Sequence, residues 1–322
     1  MPQKTADSQA SFFLGFDGGG TKTECVLVDR EGKVVARSHE GPSNPLRLRT
    51  GYTRAWFALS EAADAVLSRA KITGSDIRGI CAGLGGAGRA SVARHIASFL
   101  ERNFPNAQVR ATTDLEIALE AAFDPGAEGM ILLAGTGSAA LGRDADGRIV
   151  RVGGRGPWIS DEGSAFDIGR RAVRAVALAE EGRGPETLLS QRIFEWHHFR
   201  DWSLLQESIA KNPDNVFPAT FPLVAEVADS GDAASREILT AAAGALAQLA
   251  FCVADRMGWH DREIAIAKVG GVYGRSKYFD GAIEMQIAAI LPQARLTSLK
   301  MSPAEAAAGV AFRMFRAKGH AA

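Results

Sequence analysis

Gly15-Phe16-Asp17-Gly18-Gly19-Gly20-Thr21-Lys22-Thr23 decides how the rest of the chain reads. The apolar run Phe12 to Phe16 leads into it, and the apolar, β-branched run Val26 to Val28 leads out. That pattern predicts a strand, a glycine turn and a second strand. Three consecutive glycines leave backbone N–H groups bare and able to point at one spot, a concavity that binds anions, phosphate above all. Thr21, Lys22 and Thr23 add hydroxyls and a positive charge, and Asp17 at the strand end is placed to hold a hydrated metal ion. A plain hairpin turn competes as the explanation of the glycines alone. The strand-end Asp and the Thr-Lys-Thr tail favour phosphate.

Working outward, residues 12–17, 23–29 and 33–39 read as three strands, with typical hairpin chemistry at Asp29-Arg30-Glu31-Gly32-Lys33. After the breaker Gly41-Pro42-Ser43-Asn44-Pro45, helical spacing predicts a helix over 52–70. A buried strand (77–82), a glycine-rich turn, a helix near 91–102, a strand (109–113) ending at Asp114 and a short helix (115–123) follow. At Asp124-Pro125-Gly126 the chain restarts. A strand over 130–133 ends in Ala134-Gly135-Thr136-Gly137-Ser138, and a hairpin turn follows at Asp144-Ala145-Asp146-Gly147-Arg148. Gly-Thr followed by a hairpin thus occurs twice, an internal duplication. A mainly helical stretch runs to about Trp259. Then come a strand (264–269), Gly270-Gly271, a helix, a strand (294–299) and a last helix (303–315), which is expected to pack back against the first half. The expected architecture is α/β, in two similar halves, 1–123 and 124–322, with a helical insertion over about 183–260 and a central cleft.

Each further motif has a bland alternative. Gly135-Thr136-Gly137-Ser138 is weak alone and gains force as the second copy of a phosphate loop. Gly270-Gly271, between strand and helix, permits close approach to a flat ring, or is only a tight turn. Gly83-Leu84-Gly85-Gly86-Ala87-Gly88 matches the dinucleotide fingerprint G-x-G-x-x-G, but Asp114 lies further on than the usual acidic residue about 20 positions downstream. Asp114 ends a strand, where a carboxylate serves either as a general base or as a helix N-cap. In Gly153-Gly154-Arg155-Gly156-Pro157-Trp158-Ile159-Ser160-Asp161-Glu162-Gly163-Ser164, Ser160 and Asp161 could cap the next helix, while Trp158 beside carboxylates suits a sugar. Asn44 could be a turn residue. His197-His198 reads as solvated helix surface.

Composition narrows the classes. Among 322 residues, Lys plus Arg equals Asp plus Glu, 37 each, which gives no argument for nucleic acid or an acidic membrane. Cys25, Cys81 and Cys252 are far apart, a pattern of reducing compartments that argues against zinc or an iron–sulfur cluster within one chain. Met1 to Ser11 lacks an apolar signal core, and no apolar run reads as long enough to span a bilayer. The expectation is a soluble, cytoplasmic protein.

Taken together, Asp17 to Thr23, Pro42-Ser43-Asn44, Thr112-Thr113-Asp114, Gly135 to Ser138, Asp161-Glu162-Gly163-Ser164 and Gly270-Gly271 resemble the BadF/BadG/BcrA/BcrD ATPase family, and within it the N-acetylglucosamine kinases. The resemblance runs from Phe12 to Phe315. It implies the actin-like ATPase fold, two ribonuclease-H-like domains closing on ATP and a sugar, and a homodimer. It implies that Gly18, Gly19, Gly20, Thr21 and Lys22, with Gly135, Thr136, Gly137 and Ser138, hold phosphates. By the same analogy Gly270 and Gly271 border the adenosine and Asp17 holds Mg²⁺ through water. Asn44, Gly85, Gly86, Thr136 and Asp161 would touch the sugar, and Asp114 would be the base. The resembled kinases usually carry Trp where this chain has Arg155 and Gly where it has Ser160. Trp158 is the candidate replacement ring.

Three other functions compete. An activator ATPase of the 2-hydroxyacyl-CoA dehydratase type belongs to the same family and needs interface cysteines for an iron–sulfur cluster. A sugar-sensing repressor needs a helix-turn-helix, for which the dozen or so residues before the first glycine turn are too few. An NAD-linked oxidoreductase is suggested by Gly83 to Gly88 alone.

Overall fold

The computed structural model describes residues 11–46 and 51–319. Around the glycine turn, β1 (Phe12–Gly18) pairs antiparallel with β2 (Thr23–Val28), and β2 pairs antiparallel with β3 (Val34–Glu40). β4 (Ile77–Leu84) and β5 (Gln108–Thr112) extend the other edge of β1 in parallel, giving the order β3-β2-β1-β4-β5. Parallel neighbours need helical crossovers. These are α1 (Tyr52–Ala70) before β4 and α2 (Ala90–Asn103) before β5, with α3 (Asp114–Ala122) following.

The second sheet repeats the plan. β6 (Gly129–Ala134), β7 (Ser138–Arg143) and β8 (Ile149–Gly153) form an antiparallel meander, and β9 (Ile264–Val269) and β10 (Ala294–Ser298) add in parallel, in the order β10-β9-β6-β7-β8. Between β8 and β9 lie α4 (Ala165–Glu180), α5 (Leu189–His197), α6 (Trp202–Lys211), α7 (Pro213–Asp229) and α8 (Ala233–Met257). α9 (Lys277–Ile290) joins β9 to β10, and α10 (Pro303–Gly319) closes the chain. Each sheet is thus a three-stranded meander extended by two parallel strands, the ribonuclease-H-like topology.

The two β-hairpin turns repeat down to their hydrogen bonds. Asp29 Oδ1 accepts from the amides of Glu31 (3.0 Å) and Lys33 (2.9 Å), and Gly32 sits at φ +79°. Asp144 Oδ1 accepts from Asp146 (3.1 Å) and Arg148 (2.8 Å), and Gly147 sits at φ +80°. Both use an Asp side chain to stand in for a backbone turn and a glycine for the left-handed position.

The chain divides into two compact units, one formed by residues up to Pro125 with those from Leu299 on, the other by Gly126–Ser298. The sequence reading ran the second half through residue 322 while expecting its last helix to pack back against the first half. The segment from Leu299 belongs with the first unit because Ala304, Ala307, Ala308 and Ala311 of α10 are buried with Phe13, Val26 and Cys81. Two strand glycines make room. A Cβ on Gly15 would lie 2.0 Å from Ala304 O, and one on Gly79 would lie 2.8 Å from Ala311 O. Arg37 on β3 secures the start of this helix, pairing with Glu24 (3.2 Å) and Glu305 and donating to Ser302 (3.1 Å).

Two sequence expectations change here. α8 is long and apolar enough, by length and composition, to cross a membrane. In the second unit it is a core helix whose Leu239, Ala243, Leu246, Ala250 and Val253 are buried. Its many alanines give it a high mean hydropathy without a wide apolar surface. His197 is not solvated surface either. Its Nε2 lies 2.8 Å from Thr220 Oγ1, and burial, then the neighbouring His198, holds its pKa below the usual histidine range.

Candidate active site

In the first unit the site grows from the turn between β1 and β2. Gly19 N–H donates to Lys22 O (3.0 Å) and closes the turn. Of the amides expected to be bare, Gly19 is therefore committed, while Gly20 and Thr21 donate no amide hydrogen bond among the described residues. Gly19 O accepts from Ser43 N (3.2 Å) and Asn44 N (3.1 Å), which ties the loop after β3 to the turn. The buried Thr23 hydroxyl donates to Gly41 O (2.7 Å) and lies 2.7 Å from Ser43 Oγ. Gly18 must be glycine, since a Cβ there would lie 2.0 Å from Ser43 Oγ. Sequence reasoning missed this Thr23–Ser43 clamp. Its signal was a threonine at the start of a fully buried strand.

The turn after β4 completes the arrangement. Gly85 N–H donates to Gly18 O at 2.7 Å, so the end of β4 is pinned to the end of β1. A Cβ on Gly85 would lie 2.8 Å from Asn44 Nδ2 and 3.5 Å from Asp114 Oδ2, and one on Gly86 would lie 3.0 Å from Asn44 Oδ1. Asn44, Gly85, Gly86 and Asp114, which lie up to seventy positions apart in the chain, are thus brought to one face. This is the use the fold makes of the Gly83–Gly88 run. The sheet order with its antiparallel meander is not that of a dinucleotide fold.

Asp114 is the first residue of α3, not its cap. Thr113 caps the helix, its Oγ1 accepting from Glu116 N at 3.1 Å. Asp114 Oδ1 accepts from Leu115 N (3.0 Å), with Oδ2 toward Gly85. A carboxylate in the first turn is also stabilised by the helix dipole. Asp17 is half-buried on β1, directly opposite Glu24 of β2. Burial first, then the charges of Asp114 and Glu24, push its pKa up to about 7, with Lys22 opposing them. A carboxyl so placed disfavours its own charge until a cation arrives.

The second unit assembles its own cluster. Gly135 N–H donates to Gly137 O (2.9 Å), closing the second turn, and Ala134 O accepts from Val272 N (3.1 Å). Gly270, at φ +105°, lies so close that a Cβ would be 2.3 Å from Ala134 O. The late glycine pair therefore packs directly on the second hairpin. The stretch after β8 is tied to the same turn, with Ser138 Oγ donating to Glu162 O (2.7 Å) and Ala165 N to Gly135 O (2.9 Å). Asp161 is 3% exposed and holds a left-handed backbone, φ +68°. Neither Ser160 nor Asp161 caps α4; Ser164 does, accepting from Asp167 N at 3.2 Å. Trp158 is 70% exposed, its ring 5.4 Å from that of Phe166. A Cβ on Gly19, Gly135 or Gly271 would meet nothing within 4 Å.

Cys25 and Cys81 are fully buried, and burial pushes the Cys25 thiol well up and the Cys81 thiol to about 12. Neither is placed to offer a thiolate ligand at a surface.

Comparison with known proteins bears on what this arrangement does. Residues 14–310 match the model of the BadF/BadG/BcrA/BcrD ATPase family. The N-acetyl-D-glucosamine kinase of Dictyostelium discoideum is 30% identical over 92% of this chain and 96% of its own length. The N-acetylmuramic acid/N-acetylglucosamine kinase of Clostridium acetobutylicum is 27% identical over 90% of this chain and 94% of its own. In fold, the crystal structure of a protein assigned as an N-acetylglucosamine kinase from Chromobacterium violaceum superposes with a TM-score of 0.75 over 93% of this chain and 98% of its own, at 24% identity.

Proposed function

The chain belongs to the BadF/BadG/BcrA/BcrD ATPase family, and from that premise we propose that it is an ATP-dependent amino-sugar kinase, transferring phosphate to the 6-hydroxyl of N-acetylglucosamine or a related hexosamine such as glucosamine. The observation that carries the reading is the meeting of Asn44, Gly85 and Asp114 on one face beside Asp17.

Asp114 is the proposed general base. It accepts the proton of the sugar hydroxyl as that oxygen attacks the γ-phosphorus in line, the bond to the bridging oxygen breaks and ADP leaves. Asn44, the Gly85–Gly86 backbone, Thr136, Asp161 and Trp158 are the proposed sugar contacts. The Gly18–Lys22 and Gly135–Ser138 turns hold phosphate oxygens, and Gly270–Gly271 borders the adenosine. The open space at Gly19, Gly135 and Gly271 fits backbone approach to a ligand. Mg²⁺, when bound with ATP, neutralises phosphate charge. Asp17 fits such an ion, because its carboxyl is desolvated beside two other carboxylates and gains most from a cation. The family resemblance implies that Asp17 would hold the ion through water. The family resemblance supports a cytoplasmic homodimer, which sedimentation would check. A coupled ADP-release assay across glucosamine, N-acetylglucosamine, N-acetylmuramic acid, glucose and N-acetylmannosamine tests the reading. Turnover of no amino sugar would sink it.

A further inference from the structure

We propose that the Gly19–Gly20 peptide couples the phosphate turn of the first unit to the face that carries Asp114, with Thr23 and Ser43 as the residues that position it. This coupling deepens the kinase reading and rests on it. Gly19 O accepts from Ser43 N (3.2 Å) and Asn44 N (3.1 Å), so two amides of the loop after β3 hold one end of the peptide. The other end is Gly20 N–H, which donates to nothing among the described residues. In a trans peptide the C=O and N–H are coplanar and point in opposite directions. Fixing the carbonyl on the loop therefore fixes the direction of Gly20 N–H, away from the loop. Two donors on the carbonyl also polarise the peptide and make its N–H a stronger donor to an anion. The preceding peptide is already spent at both ends. Its carbonyl, Gly18 O, accepts from Gly85 N (2.7 Å), and its amide, Gly19 N–H, donates to Lys22 O (3.0 Å).

The loop that grips this carbonyl is built into the fold by two fully buried hydroxyls, those of Thr23 and Ser43. The Thr23 hydroxyl donates to Gly41 O (2.7 Å) and lies 2.7 Å from Ser43 Oγ, so it is committed to the loop and not to a phosphate. Thr23 is the strand residue directly opposite Gly18, and Ser43 Oγ packs on Gly18 where a Cβ would lie 2.0 Å away. The pair thus sets the spacing between loop and turn. The same loop places Asn44, whose Oδ1 accepts from Leu46 N (3.0 Å). Asn44 Nδ2 and Asp114 Oδ2 both lie within 3.5 Å of the point where a Cβ of Gly85 would stand. A hydroxyl that gives its proton to Asp114 therefore lies beside Asn44. Asn44 in turn shares with Ser43 the carbonyl of the one peptide whose N–H is open to phosphate. Either ligand, once bound, holds these hydrogen bonds in place for the other. The rival is a plain structural clamp, for which Thr23 and Ser43 matter to stability alone.

The test measures by calorimetry the Kd of a non-hydrolysable ATP analogue with Mg²⁺, alone and with saturating N-acetylglucosamine (or glucosamine, where the wild type turns that sugar over faster). The Kd of the sugar is measured with and without the analogue. Wild type, Thr23→Val, Thr23→Ser and Ser43→Ala are compared, with thermal unfolding as the folding control. In the wild type each ligand should tighten the other about fivefold or more, by the same factor in both directions. Thr23→Val and Ser43→Ala should weaken both ligands and bring that factor toward one. Thr23→Ser, which keeps the hydroxyl, should retain it. A second measurement follows Gly20 itself, in protein carrying isotope-labelled glycine. Its amide resonance, identified as the peak lost in Gly20→Ala, should move when the sugar alone binds to wild type, and should stay in place in Ser43→Ala. A coupling factor unchanged in the folded variants would overturn the proposal. So would lowered melting temperatures with both affinities intact, or a Gly20 resonance indifferent to the sugar in a wild type that turns it over. A wild type that releases ADP with no amino sugar would remove the kinase reading itself, and this coupling with it.

Discussion

The two units use the same backbone frame for different work. Gly18 O accepts from the residue that follows β4, and Ala134 O accepts from one that follows β9. Gly19 O and Gly135 O each accept from the chain that leaves the third strand of their meander. The strand-end hydrogen bonds are therefore duplicated, and the side chains placed on them are not. One position before the last paired residue of its first strand, the first unit has Asp17 and the second has Leu133. The first unit gathers Asp17, Glu24, Lys22 and Asp114 near its turn, while the second offers Gly-Thr-Gly-Ser backed by the Gly270–Gly271 pair. Duplication conserves a frame that presents backbone amides. Charge, which acts only where it is placed, is free to diverge.

The sharpest way to break this comparison is Asp114→Asn. If chemistry sits in the first unit, kcat should fall about 10²–10⁴-fold, with sugar KM moving less. Thermal stability should stay near wild type, because Thr113 rather than Asp114 caps α3. Full activity would return Asp114 to a structural role.

Two glycines probe the difference between open and packed positions. Gly19→Val should leave the melting temperature close to wild type and weaken ATP binding at least about tenfold, since its space is open in the fold and needed by phosphate. Gly270→Ala should instead unfold the protein earlier, by roughly 2–4 °C for each kcal/mol lost, because its Cβ meets Ala134 O and its φ of +105° suits glycine alone. Calorimetry and nucleotide titration of both variants separate the two cases. Equal behaviour would contradict them.

Asp17→Asn sharpens the contrast with Leu133 through pH. The folded-state pKa of Asp17 is raised from 3.8 to about 7, so the folded chain binds the proton more tightly than the unfolded one. Its contribution to stability is full below pH 3.8 and is lost as pH rises toward 7. Without added divalent cation, the melting temperature of Asp17→Asn should gain on wild type by a few degrees across that window and then run parallel. A constant offset between the two curves would refute the shifted carboxyl.

The smallest effects test the duplication itself. Asp29→Ala and Asp144→Ala each delete one turn-mimicking carboxylate, and each should cost about 0.5–1.5 kcal/mol, with equal losses in urea unfolding. A clear difference between the two would show that the turns are alike in geometry and unlike in energy.

Much of this was legible in the chain. β9 and α1 lie where periodicity placed them, since buried strands and amphipathic helices carry strong local patterns. The repeated Asp-x-x-Gly turns were visible because turn chemistry is local. The functional candidates stood at strand ends among glycines, where ordinary propensity fails. Other features were not legible. Thr113 and Ser164, not Asp114 and Asp161, cap their helices, a choice of one residue that depends on where the preceding strand lets go. Gly19 spends its amide inside the turn, which a count of glycines cannot show.

By itself the sequence determined the strand–turn–strand units, their duplication and the residue types available for phosphate and proton transfer, because these follow from periodicity and from side-chain chemistry over a few neighbouring positions. Only the tertiary structure decided that Asn44, Gly85 and Asp114 share a face and that Gly270 lies against Ala134. Those meetings depend on which strands pair and on glycines that let backbones touch. Hydrogen bonds and van der Waals exclusion act through space at a few ångströms, and distance along the chain carries no record of them.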